Sequence, residues 1–400
     1  MPKFQWKGKN RYGDVVEGVR VARSMEEVRL TLEREQITVM EISRKGMEIQ
    51  IPFLQRGRVK LKELAVFSRQ LSVLIDAELP LIQSLNIMAE QQKNKYFKKV
   101  IQEVRNDVEA GSTLNQALKK FPRVFDDLYC NLVASGEQSG SLDIMLRRVA
   151  EYLESIVKLR SQVRQAMIYP VAIVTFAILV VIFMMWKIIP IFASIYQELG
   201  AELPVLTAGV LAMSYFVQRY IVFIFLGLIA LVFLYRYVRR TPTGRKFFDR
   251  LYLRFPLFGS LLEKVGLSRV TRTLSTLLSG GVPMLEALRI TSTTANNVII
   301  EEHIMAARKQ VSEGLSLTDA FREQKSFPFM MIQMVGVGEA TGTLDEMLGK
   351  LADFYDEEVE ATVTSLLSVL EPILLIFVGG IVGSIVISMY LPIFNLIQQF

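Results

Sequence analysis

The phrase GEQSGSLDIML at Gly136–Leu146 returns as GEATGTLDEML at Gly338–Leu348, an offset of 202 residues. Each copy stands shortly before a long apolar run. LSVLIDAELPLIQSL (71–85) matches LSTLLSGGVPMLEAL (274–288), and EAGSTLNQAL (109–118) matches SEGLSLTDAF (312–321), both at an offset of 203. Beyond the shared phrase Pro170 answers Pro372, and IPIF (189–192) answers LPIF (391–394). A chain that repeats itself at a fixed offset builds one unit twice. Here the unit is a polar domain followed by a membrane segment.

Three apolar stretches carry that reading. Met167–Trp186 runs 20 residues without a charge, which as a helix is about 30 Å, the depth of a bilayer core. Residues 220–235 form a second run between Arg219 and Arg236, preceded by the uncharged segment 203–218, so this helix is expected to start outside the membrane and enter it. The third, from Pro372 to the end, has no charge at all. Apolar residues make up 51% of the chain and charged ones 22%, a balance expected of membrane spans joined to sizeable water-exposed domains.

Lys and Arg set the orientation. Arg147, Arg148, Lys158, Arg160 and Arg164 precede span one, and six basic residues from Arg236 to Arg250 follow span two. Only Lys187 and Arg219 lie between these spans, and none follows span three. Both polar regions and the N-terminus are therefore expected in the cytoplasm, with loop 191–215 and the C-terminus outside. The opening residues lack a signal-peptide core.

Within each copy the signals are helical. Leu61, Leu64, Phe67, Leu71, Leu74 and Ile75 recur at helical spacing. Pro80 and Pro283 sit at helix starts. Gly111 and Gly314 suit helix ends, and Thr113 and Ser316 can cap the helices that follow. The shared phrase reads as a tight corner: Gly136 and Gly338 end one helix, Ser141 and Thr343 cap the next, and Asp143 and Asp345 sit in its first turn near the positive helix end. Glu137, Gly140 and Leu142, with Glu339, Gly342 and Leu344, complete the repeated motif. GVGEATG (336–342) also looks like a phosphate loop, but Gly336 corresponds to Ala134, no strand precedes it and no Gly-Lys-Ser/Thr follows.

The front end is different. Phe4–Trp6, Val15–Val21 and Ile37–Ile42 read as strands, and SMEEVRLTLEREQ (24–36) as a helix opened by a Ser24–Glu27 capping box with Met25, Val28 and Leu32 on one face. A basic linker around 44–60 follows. The expected plan is a small α/β N-terminal module at 1–50, a first helical domain at 51–166 and transmembrane helix 1 at 167–192. An outer loop and helix start at 193–218 leads to transmembrane helix 2 at 219–238, a second helical domain at 239–370 and transmembrane helix 3 at 371–397.

Chemistry is sparse. The one Cys, Cys130, excludes an internal disulfide, and with the one His, His303, it cannot build a His/Cys metal site. His303 is expected on a solvated helix face. No Walker, Gly-x-Ser-x-Gly or His-Glu-x-x-His motif is present, and no acid lies inside a span, as proton-coupled transport would require. The carboxylates of DFYDEEVE (353–360) read as a solvated face, or as a cation site. No cofactor is expected. The net charge of +6 is uneven, with 28 basic and 21 acidic residues over 1–168 against 13 and 16 over 241–370. No dense basic patch with interleaved aromatics speaks for nucleic acid. In span three Gly379 and Gly383 form a Gly-x-x-x-Gly pair suited to close helix packing, where copy one has the bulkier Ala177 and Val181.

The duplicated Gly-Glu-x-[Ser/Thr]-Gly-[Ser/Thr]-Leu-Asp motif, Tyr169-Pro170 answered by Glu371-Pro372, the span order and the front module FQWKGKNRYGDVVEG together resemble a known family. It is that of the inner-membrane platform proteins of type IV pili and type II secretion, and the front module is closer to the pilus branch. The resemblance spans the whole chain. It implies a mostly α membrane protein with a duplicated six-helix cytoplasmic domain and three transmembrane helices, acting as a scaffold rather than an enzyme. A hexameric assembly or retraction ATPase would engage the cytoplasmic domains, with Arg147 and Arg148 as candidate contacts. Pilin subunits and other inner-membrane pilus proteins would meet the spans. Symmetry rules for closed assemblies, rather than the resemblance, favour a homo-oligomer, a dimer or trimer. A secretion pseudopilus platform and a small membrane transporter are the alternatives.

Overall fold

A computed structural model describes residues 3–9, 15–21, 25–34, 37–44, 57–191, 194, 205–255 and 258–399. The chain divides into two compact units, Met1–Arg58 and Val59–Phe400.

In the first unit β1 (Lys3–Lys9), β2 (Val15–Val21) and β3 (Thr38–Arg44) form an antiparallel sheet in the order β2-β1-β3, and α1 (Met25–Arg34) joins β2 to β3. Trp6 lies opposite Gly18 on the neighbouring strand, where a Cβ would sit 2.9 Å from the indole. Glycine is there because the ring needs the space. Trp6, Val28 and Leu32 make the core, with Ile37 and Val39 packed on it. Met25, expected on the same helix face, is instead 44% exposed. It sits one turn before Val28, at the helix start, outside the cluster of Trp6, Val28 and Leu32. Ser24 and residues 45–56 of the linker lie outside the described residues.

The second unit opens with six helices: α2 (Leu61–Asp76), α3 (Leu81–Gln91), α4 (Lys95–Glu109), α5 (Leu114–Lys119), α6 (Asp127–Ser139) and α7 (Leu142–Phe183). The second copy repeats them as α10 (Phe258–Ser279), α11 (Met284–Thr294), α12 (Val298–Ser312), α13 (Leu317–Arg322), α14 (Phe329–Thr341) and α15 (Leu344–Gln399). Between the copies lie α8 (Val205–Arg240) and α9 (Pro242–Arg254). The expected terminators do their work. Gly111 and Gly314 take φ of +97° and +101°, and the Thr113 and Ser316 hydroxyls accept from the third backbone N–H of α5 and α13.

Each copy buries an apolar interior, and the two interiors are continuous. In copy one Phe67 meets Phe97 at 5.2 Å and Phe125 meets Tyr129 at 5.0 Å; in copy two Phe321 meets Phe327 at 4.3 Å. Buried Cys130 belongs to this core, and burial pushes its thiol up to about 12, so it stays protonated and inert.

α7 and α15 run on from the helical domains into segments long and apolar enough to cross a membrane, as does Val222–Arg240 of α8. Neither breaks at the expected domain edge. At 1.5 Å per residue α7 is about 63 Å long and α15 about 84 Å.

Candidate functional site

The repeated corner is built by four residues, each with a separate task. α6 ends at Ser139 and α14 at Thr341, and Gly140 and Gly342 follow in the left-handed conformation at φ +70° and +73°. Gly136 and Gly338 do not end their helices, as the sequence suggests; they lie one turn inside, where the next helix presses closest. A Cβ on Gly136 would lie 3.0 Å from the Leu142 Cα, and one on Gly338 would lie 2.8 Å from the Leu344 Cα. Their carbonyls take the closing bonds, from Ser141 N at 3.0 Å and Thr343 N at 2.9 Å. The Ser141 hydroxyl does not cap α7; it pairs with Ser139 at 2.6 Å, and Thr343 pairs with Thr341 at 2.7 Å.

The motif's Glu has a role invisible in its spacing. Glu137 accepts from the amides of Leu114 (2.5 Å) and Asn115 (3.0 Å), and Glu339 from those of Leu317 (2.9 Å) and Thr318 (3.1 Å) and from the Thr318 hydroxyl (2.7 Å). Each carboxylate thus caps the short helix immediately before its own and ties it to the corner. Burial raises the Glu339 carboxyl, but the Thr318 hydroxyl and the two amides together outweigh it and hold the group below its ordinary value. Since the folded value is the lower one, this stabilisation is complete above about pH 5 and fades as pH falls through the folded value. Glu339→Gln is expected to lower stability by about 1 kcal/mol at pH 7, a figure discounted for the group's exposure. Thermal unfolding at pH 7 and pH 3 checks this: the gap to wild type closes at the lower pH, and a constant gap refutes the role.

The carboxylates along the stems are not a bare solvated face. Arg69 of α2 holds Glu154 of α7 through two bonds of 2.8 and 2.6 Å. Its counterpart Arg272 of α10 holds Asp353 at 2.7 Å and Asp356 at 2.8 Å on α15. Lys264 adds Glu358 at 2.6 Å. Arginine and lysine therefore pair with Asp353, Asp356 and Glu358 of the run, and among the described residues no group of three or more His, Cys, Asp or Glu is arranged to hold a metal. His303 is half-buried and hydrogen-bonded to Ser326 rather than solvated.

The stems also join the copies. Leu159 of α7 is buried with Leu261 of α10 and with Val359, Val363 and Leu366 of α15. Tyr152 accepts from Thr273 at 3.3 Å; burial pushes its hydroxyl up to about 12. Gln162 donates to Glu360 at 2.9 Å, and Tyr169 to Glu371 at 3.5 Å. That last pair precedes Pro170 and Pro372, which both lie inside unbroken helices. Each proline leaves one carbonyl without its usual donor at the point of entry.

Within the apolar region a π-helical turn, Met184–Ile188, interrupts the end of span one. The Met185 carbonyl accepts from Ser214 at 2.5 Å and Gln218 at 3.1 Å, both on α8. The polar groups near the start of α8 thus satisfy backbone that has no water. Met185, Ile189, Leu211 and Ile385 pack around this point and join the three segments. Between spans one and three lies a wholly apolar groove of about 370 Å³, lined by Ala177, Val181, Leu374, Phe377, Val378 and Ile381 among others. Gly379 and Gly383 do not face it, and space for a Cβ is open at both.

The two candidate arginines part company. Arg147 is paired with Asp76 at 2.6 Å. Arg148, half-buried beside it, has no partner among the described residues. Sequence reasoning missed the Arg69 and Arg272 clamps and the Glu caps. The offsets of 203 for the arginines and 202 for the glutamates were the available signal.

A model of the family described as type II secretion system (T2SS), protein F matches residues 67–190 and 270–392, and one for that protein's N-terminal domain matches residues 1–43. The chain is similar to the type IV pilus assembly protein PilC of Myxococcus xanthus, 42% identical over 397 residues covering 98% of this chain and 95% of that one. It is 43% identical to the PilC of Thermus thermophilus over 99% and 98% of the two chains. It is 32% identical to the type II secretion system protein F of Vibrio cholerae, over 99% and 98%.

Proposed function

Because the chain belongs to the type II secretion system protein F family, we propose that it is the inner-membrane platform of a type IV pilus machine. In this role it couples a cytoplasmic hexameric ATPase to the insertion or removal of pilin subunits at the fibre base. The observation that carries the mechanism is the continuity of α7 and α15 from the helical domains into the apolar spans. A helix is stiff along its axis, so a push or turn applied to a domain reaches the lipid without passing through a flexible joint. The Arg69–Glu154 and Arg272–Asp353–Asp356 clamps fix each stem to the first helix of its own domain. Energy comes from the partner, since no nucleotide motif is present. We take the chain as a non-enzyme with its N-terminus and both helical domains in the cytoplasm and its C-terminus in the periplasm, on the distribution of Lys and Arg. The higher identity to the pilus relatives than to the secretion relative favours a pilus over a pseudopilus.

The test is co-purification of the detergent-solubilised chain with the host's hexameric assembly ATPase, recording turnover. Binding with altered turnover is expected, and no binding would overturn the reading. Arg148→Glu is the sharper variant, because Arg147 is already spent on Asp76. It is expected to weaken ATPase binding about tenfold, on the scale of one charge contact reversed. Equal binding by the variant would remove Arg148 from the interface.

A further inference from the structure

One helix stands outside the duplication. α9 follows span two after the single residue Thr241, and the stretch 203 residues earlier holds β3 and the linker rather than a helix of copy one. Its place is fixed from two sides. The Asp249 carboxylate, 3% exposed, accepts from the Val298 amide at the start of α12 at 3.0 Å and pairs with Arg239 of α8 at 3.6 Å. Arg245 pairs with Glu301 at 3.6 Å and Lys246 with Glu302 at 2.6 Å, both on α12. On the side of α8, the Tyr252 and Tyr235 hydroxyls share a hydrogen bond of 2.7 Å, and the Phe248 ring lies 5.1 Å from that of Tyr235.

These contacts set the depth of α9. Tyr235 closes the uncharged run of span two, so it marks the rim of the apolar layer, where tyrosines settle. Phe248 and Tyr252, one turn apart on α9, both reach it. The chain therefore leaves the membrane at Arg240 and doubles back, and α9 lies against the rim instead of hanging into water.

With Phe248, Asp249 and Tyr252 turned inward, the opposite side of α9 faces away from the protein. Phe247 and Leu251 are 63% and 45% exposed there, and Phe255, just past the helix end, is 55% exposed. Arg250 and Arg254 are exposed on the same side. At about 100° per residue, positions 247, 250, 251 and 254 fall within about 100° of one another. Arg236 and Arg240, at the end of α8, are exposed too, and none of these four arginines has an acidic partner among the described residues. Asp249, the one acid of α9, is buried on the other side.

We propose that α9 is an interfacial helix that binds anionic phospholipid, with Phe247 and Leu251 at the acyl boundary and Arg240, Arg250 and Arg254 on headgroup phosphates. Charge and depth together name the occupant. Guanidinium forks fit phosphate oxygens, and apolar side chains beside them enter the headgroup–acyl boundary. A soluble acidic partner answers the arginines but not rings set at the level of the lipid. Orienting span two needs only basic flanks; it does not need a helix folded back onto the rim. Because Asp249 joins α9 to the start of α12, lipid contact on one side of α9 is tied to the second helical domain on the other. The proposal requires only that α8 spans the bilayer, and it stands apart from the pilus reading.

The full-length protein in nanodiscs tests it. A nitroxide is placed on Leu251→Cys or Phe247→Cys and, as a water-exposed reference, on Lys309→Cys at the far end of α12, where the side chain is 78% exposed. Cys130 is buried and takes no label. In discs of phosphatidylcholine with about one-third phosphatidylglycerol, the labels on α9 are expected to be about fivefold less open to an aqueous nickel relaxant than the reference, on the scale of one arginine at an anionic surface. In phosphatidylcholine alone that protection is lost. Arg250→Glu combined with Arg254→Glu is expected to abolish it in the mixed discs while leaving thermal unfolding unchanged, since both side chains are exposed. Labels on α9 as open as the reference in mixed discs would overturn the proposal. So would equal protection in the two lipid compositions, or protection that arises only on adding the ATPase, which would make α9 a protein contact.

Discussion

Gly338→Val is expected to unfold the second helical domain, whereas Gly342→Ala only weakens it. The difference comes from what each glycine is for. Gly342 has a positive φ with open space around it, so a methyl group there costs the left-handed strain alone, about 1–2 kcal/mol. Gly338 is an ordinary helical residue on which α15 rests, its missing Cβ 2.8 Å from the Leu344 backbone. Backbone cannot swing aside like a side chain end, so a branched residue must lever α14 from α15. Overpacking usually costs about 1–3 kcal/mol, and a clash with backbone rather than a movable side chain puts this site at or beyond the upper end, a large share of an ordinary domain's stability. The motion would also pull Glu339 off the start of α13. Limited proteolysis and thermal unfolding of the purified chain read this directly. A Gly338→Val protein as resistant as wild type would mean the close approach at the corner is not required.

Thr364→Pro is expected to abolish pilus assembly while leaving ATPase binding within about twofold of wild type. Thr364 lies on the exposed side of α15, between the Arg272 clamp and Glu371. A proline there removes a backbone hydrogen bond and strikes the Glu360 carbonyl, about 3 kcal/mol of local disruption that bends the stem. The helical domain below keeps its corner and clamp. If the stem transmits the motor's motion, surface pili counted by electron microscopy fall to background, and Thr364→Ala restores them. Normal piliation with Thr364→Pro would show that the force reaches the spans by another route, and the rigid-stem mechanism would fall with it.

Much of this molecule was written plainly along the chain. The offset of 202 to 203 residues fixed the duplication, uncharged length fixed the spans, and Gly111, Gly314, Thr113 and Ser316 marked helix ends through local backbone chemistry that needs no partner. These features depend on one segment at a time, which is why sequence order reveals them. Contacts between segments did not yield so easily. Gly136 and Gly338 looked like helix ends because glycine often is one, yet a neighbouring helix decides their use. Glu137 and Glu339 cap helices some twenty residues upstream, a pairing that no spacing rule announces. The acidic run at 353–360 read as a solvated face until α10 brought Arg272 and Lys264 against it. Most of all, the repeat showed two equal copies, whereas folding makes them unequal. Leu159 is buried and its counterpart Ala361 exposed, because Leu159 lies in the contact between the copies and Ala361 does not. Local periodicity determined what the elements are; only tertiary packing, which joins residues far apart in the chain, decided which faces are closed.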